Sequence, residues 1–64
     1  MINGKLVYLD QHTCIGRLET TTGAVVSFRT HAPVISQMSR YFGQRLQIQV
    51  SPSGELLYWK IPVG

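Results

Sequence analysis

An all-β fold, a small five-stranded antiparallel barrel, is predicted by three features of this sequence. Five short runs of strand character, at residues 5–9, 13–20, 24–30, 44–50 and 55–61, are separated by clusters of turn-forming residues. Alternation is cleanest in the fourth run, where Leu46, Ile48 and Val50 share one face and Arg45, Gln47 and Gln49 the other. Finally, a chain of 64 residues cannot cover both faces of a flat five-stranded sheet, so the sheet has to curl on itself.

Met1 to Gly4 reads as a lead-in to the first strand, which turns Leu6 and Leu9 inward and leaves Tyr8 accessible. Both of its faces are partly apolar, so its register stays open. Asp10, Gln11, His12 and Thr13 form the polar turn of a hairpin. Alternation in the second strand sends Cys14, Gly16 and Leu18 to the core and Ile15, Arg17 and Glu19 outward. A glycine in mid-strand forfeits packing, so Gly16 marks a sharp bend or a close approach of two chain segments.

A turn from Thr20 to Gly23 leads to the third strand, with Val26 and Phe28 on one face and Val25, Ser27 and Arg29 on the other. Strands joined by so short a turn are antiparallel neighbours, which places Arg17 and Arg29 on one sheet face. From His31 to Gly43 the pattern breaks, because Pro33 cannot donate to a ladder. One short helical turn between the third and fourth strands is expected there, capped by Ser36 and ended by Gly43. In the fifth strand Leu57, Trp59 and Ile61 oppose Leu56, Tyr58 and Lys60, and either set qualifies as the core face. The predicted core is Leu6, Leu18, Val26, Phe28, Leu46, Ile48 and Val50.

The length suits one domain, residues 1–64, near the lower limit for folding without a disulfide, metal or partner. Cys14 is the sole cysteine, which excludes an intramolecular disulfide and makes the cytoplasm the expected compartment. No apolar run exceeds four residues, so neither a signal peptide nor a membrane span is expected. Lys5, Arg17, Arg29, Arg40, Arg45 and Lys60 against Asp10, Glu19 and Glu55 give a formal charge of +3. That excess suits a polyanionic partner, and it also suits solubility alone.

Several stretches point to one family: Gly4, the aromatic within GKLVYLD, the glycine flanked as Cys14-Ile15-Gly16-Arg17-Leu18, the strand VVSFRTH and the strand GQRLQIQV. Together they resemble the cold-shock domain, the compact five-stranded version of the oligonucleotide-binding barrel (OB-fold), over nearly the whole chain. Tyr8 stands at the place of the family's first-strand tryptophan and Val7 at that of a usual lysine. Where the family carries an aromatic ladder on strands two and three, this chain has Ile15, Arg17, Ser27 and Arg29. The resemblance implies single-stranded RNA or DNA as partner, with part of the stacking exchanged for cations and polar groups. Other small barrels, SH3-like ones among them, share the same coarse pattern.

Catalytic constellations are missing from the sequence. His12, Cys14 and His31 offer a loose metal-ligand set without the C-x2-C spacing of a zinc site, and alternation points Cys14 inward, away from a nucleophile's place. The three carboxylates are scattered, and no glycine-rich loop precedes a helix. The expectation is therefore a non-enzyme with no cofactor and no metal. Nucleic-acid binding needs only a basic groove, flat side chains and a rigid sheet. The candidate nucleic-acid-binding residues are Tyr8, Ile15, Arg17, Ser27, Arg29, His31 and Lys60; an ion pair with Glu19 or another exposed carboxylate is the plain alternative for Arg17. The rival reading is a protein-interaction module, an adaptor or inhibitor, that binds a protein partner or forms a homodimer through Ile15, Val25, Tyr41, Phe42 and Tyr58. Salt separates the two, since phosphate contacts weaken steeply with it and an apolar interface does not.

Overall fold

The first strand decides the topology. In the computed structural model, which describes residues 1–62, β1 (Ile2–Asp10) pairs along its first half with β4 (Arg45–Val50) and along its second half with β2 (Ile15–Glu19). Lys5 is the pivot, opposite both Arg45 and Glu19. Residues 2–4, read from sequence as a lead-in, are therefore ladder. Gly4 permits the crossing: a Cβ there would lie 2.8 Å from the Glu19 carbonyl oxygen, so a side chain would push β1 off β2.

β3 (Val25–Arg29) pairs with β2, and β5 (Leu56–Lys60) with β4, giving one antiparallel sheet in the order β3-β2-β1-β4-β5. Three hairpin-linked strands with a fourth returning beside the first make a Greek key. The two edges approach at one point, a parallel bridge between Arg29 and Glu55, where the Arg29 N–H donates to the Gly54 carbonyl at 2.8 Å. The barrel is thus strongly curled and not closed.

Two bulges set which side chains face inward. In β1 the register slips between Leu6 and Tyr8, so Leu6 and Leu9 both point to the core although three residues apart. In β5 it slips between Leu56 and Tyr58; Leu56 and Trp59 turn inward and Leu57 is left 62% exposed. Strict alternation could not assign that strand's faces because neither alternating set is the inward one.

The fully buried side chains are Leu6, Leu18, Phe28, Ile35, Met38, Leu46 and Ile48. Val26 and Val50 pack on this cluster half-buried. Ile35 and Met38 come from a two-turn helix, α1 (Ala32–Met38), continued by a 3-10 turn at Ser39–Tyr41. The helix starts earlier than expected: His31 occupies the N-cap position, and Pro33 sits in the first turn, where its missing N–H costs nothing. Ser36 lies inside the helix, its carbonyl accepting from Ser39 Oγ, and does not cap it.

Cys14 also departs from expectation. It belongs to the β1–β2 turn with φ of +59°, half-buried, its Sγ 3.7 Å from the Gln11 carbonyl. The second strand begins one residue later, at Ile15.

Candidate nucleic-acid interface

The outer face of β1, β2 and β3 presents two cross-strand rows. One is Tyr8–Arg17–Ser27; the next is Asp10–Ile15–Arg29, extended by Glu55 across the seam. All but the half-buried Ile15 and Asp10 are exposed. The bulge at Val7 is what brings Tyr8 to this face, since unbroken alternation from Leu6 would have turned it inward.

Arg17 stacks on Tyr8, its Cζ 4.6 Å from the ring centroid, a cation–π contact between directly opposed residues. Among the described residues the one ion pair is Arg29–Glu55, so Arg17 holds to the ring and not to Glu19. Tyr8 Oη donates to Asp10 Oδ2 at 3.3 Å. Asp10 Oδ1 in turn accepts the His12 N–H at 2.8 Å and the Thr13 N–H at 3.4 Å, tying off the turn. The His12 N–H, foremost, holds the Asp10 carboxyl below its ordinary value of 3.8, against a smaller opposing pull from desolvation. Asp10 thus orients the ring and the loop together, a role that reading it as a turn residue missed; an Asx residue opening a hairpin loop was the available signal.

Arg29 Nη2 lies 3.5 Å from Glu55 Oε1, with both side chains more than half exposed. Exposed pairs of this kind are worth about 0–1 kcal/mol, so a phosphate can displace the carboxylate. Arg29 divides two shallow clefts. One, of about 290 Å³, is lined by Arg29, Thr30, His31, Glu55 and Leu56; the other, of about 190 Å³, by Ile15, Ser27, Phe28, Arg29, Ser53 and Gly54. The structure therefore brings Tyr8, Ile15, Arg17, Ser27, Arg29 and His31 to one side of the sheet. It does not bring Lys60 there. Lys60 lies opposite Gln47, itself opposite Asn3, at the other end of β1 from Tyr8.

Of the residues suggested for an apolar partner surface, Tyr41 turns onto Trp59 with ring centroids 6.0 Å apart, while Val25, Phe42 and Tyr58 are exposed on separate elements. Among the described residues no cluster of three His, Cys, Asp or Glu side chains is placed to hold a metal, and no helix is long and apolar enough to cross a membrane. Comparison with protein-family models, curated proteins and solved structures gives no match.

Proposed function

We propose that this chain is a non-catalytic single-stranded nucleic-acid-binding module, a diverged relative of the cold-shock domain on an OB-type barrel. The observation that carries the reading is the Tyr8–Arg17 stack, a flat ring and a flat cation held outward on a rigid sheet, one row away from the β1–β2 turn and from Arg29, which meets the β4–β5 turn. In OB barrels the face of strands 2 and 3 and the loops joining strands 1–2 and 4–5 are the surfaces that take oligonucleotides. The strand order and the parallel approach of β3 to β5 support that comparison. In this reading Tyr8 and Arg17 stack with bases, Arg29 exchanges Glu55 for a phosphate, and Ser27 and His31 donate or accept hydrogen bonds beside it. A reducing cytoplasm is the compartment that suits its lone thiol.

Titration of labelled single-stranded and duplex oligonucleotides at two salt concentrations tests the proposal. Single strands should bind more tightly than duplexes and weaken as salt rises. Absence of binding at low salt rejects it, and transfers support to the protein-interaction module.

A further inference from the structure

The charges of this protein are unevenly shared between the two halves of the sheet's outer face. Asp10, Glu19 and Glu55, all its carboxylate side chains, lie with Arg17 and Arg29 on the β1–β2–β3 side or at its seam. The excess positive charge therefore lies elsewhere. On the outer face of β1's first half, β4 and β5, Lys5 stands opposite Arg45, Asn3 opposite Gln47 opposite Lys60, and Gln49 opposite Tyr58. Among the described residues that region holds three cations; the one carboxylate beside it is Glu19, opposite Lys5 on the β2 side, and none of the three cations is in an ion pair. Like charges directly opposed across a ladder, as Lys5 and Arg45 are, destabilise a sheet; Glu19 offsets this from the Lys5 side only, so an anion beside Arg45 is favoured.

A second observation marks the same face. The stretch Leu56-Leu57-Tyr58-Trp59-Lys60 repeats the geometry of Leu6-Val7-Tyr8-Leu9-Asp10: inward leucine, bulged apolar residue, outward tyrosine, inward apolar residue, outward charge. Tyr58 is 50% exposed against 37% for Tyr8, and the charge that follows it is a cation where Tyr8 has a carboxylate.

We infer that the outer face of β1, β4 and β5 is a second contact surface for single-stranded nucleic acid, with Lys5, Arg45 and Lys60 on phosphates and Tyr58 as stacking platform. It rests on the reading that the chain binds single strands, and is independent of the Tyr8 face. The exposed Tyr58 ring set among unpaired cations favours this occupant over an acidic peptide or an anionic lipid surface, because a nucleotide strand alone offers both flat bases to stack on the ring and phosphates to meet the cations.

The test is anisotropy titration of labelled oligothymidylate and oligouridylate, about 15 nucleotides long, over a salt series, with circular dichroism as the folding control. The triple variant Lys5→Gln/Arg45→Gln/Lys60→Gln should flatten the slope of log affinity against log salt by about 2, at about 0.7 for each phosphate on a single strand. Lys60→Gln alone, at an exposed strand end, should flatten it by about 0.7. Tyr58→Ala should weaken binding by about 5- to 150-fold with the slope unchanged. If the parent binds and the folded triple variant keeps its slope while Arg17→Gln/Arg29→Gln flattens it, the inference falls and the proposed function stands. If the parent binds neither polymer at low salt, both fall; binding of polyglutamate or anionic vesicles in their place would name the partner class that replaces them.

Discussion

A Cβ built on Gly16 would sit 2.4 Å from Phe28 Cζ and 2.7 Å from Cε2, because the two residues are cross-strand partners and the far end of the Phe28 ring fills the space a side chain would need. For Gly16→Ala the ring has to retreat by about 1 Å to reach ordinary van der Waals contact. It has nowhere to go. Phe28 is only 1% exposed and belongs to the same cluster as Leu6, Leu18, Met38, Leu46 and Ile48. Overpacking of this kind costs about 1–3 kcal/mol, and in a domain of this size each kcal/mol lowers Tm by about 4–8 °C. Urea and thermal denaturation, followed by circular dichroism and by Trp59 fluorescence, measure the loss. Combining Gly16→Ala with Phe28→Leu, which removes the clashing ring, should recover about 1 kcal/mol or more relative to the sum of the single changes. An alanine variant as stable as the parent, or a double variant whose losses simply add, would refute the argument that ring and glycine interlock.

Phe28→Ala should cost about 3–5 kcal/mol, much of the stability a 64-residue domain commands, and should leave the chain largely unfolded at 37 °C by circular dichroism. Tyr8→Ala should weaken oligonucleotide binding by about 1–3 kcal/mol with little change in salt slope, whereas Arg29→Ala should flatten the slope by about 0.7; equal slopes for both variants and the parent would remove the phosphate role from Arg29. Asp10→Asn keeps an acceptor for the His12 and Thr13 N–H groups and loses the charge. Because the folded state depresses the Asp10 pKa, its charge adds stability above the unfolded value, and that stability is lost as pH falls through the folded one. Parent and variant should therefore differ at pH 7 and converge below the ordinary value of 3.8, as denaturation at both pH values will show.

The strand content and the centre of the core were legible because alternation in β2, β3 and β4 is unbroken, so Leu18, Phe28, Leu46 and Ile48 followed from period two alone. What escaped has two physical causes. The bulge at Leu57 replaces spacing of two by spacing of three, as the one at Val7 does where Leu6 and Leu9 face inward as expected, and nothing in Leu56-Leu57-Tyr58-Trp59 says which residue is extra until the partner strand is in place. The short helix between β3 and β4 is present as expected, and only its start at Ala32 and its second turn escape a reading that takes Pro33 as a strand breaker. In the first helical turn the same residue is favourable, and Val34, Ile35, Met38 and Tyr41 carry the helical spacing that would have corrected the reading.

The site was legible to the extent that faces were. Arg17 and Arg29 share a side as alternation required, but period two does not tell which cation meets which carboxylate across the seam. That depends on the curl bringing Glu55 from the start of β5 to the end of β3, a contact 26 residues apart in sequence. Net charge carries the same blindness. A value of +3 counts Arg29 and Arg45 alike, although one is matched by a carboxylate and the other stands beside a second cation. If electrostatics draw a single strand to this protein, the unmatched cations of the β1–β4–β5 face set the long-range attraction. The Tyr8–Arg17 stack, with Asp10 held at the Tyr8 hydroxyl, then contributes contact-range stacking, and Arg29 beside it the share of one phosphate to the salt slope. The two faces are thus expected to divide the work by range, which the separate slopes of the two sets of variants measure directly.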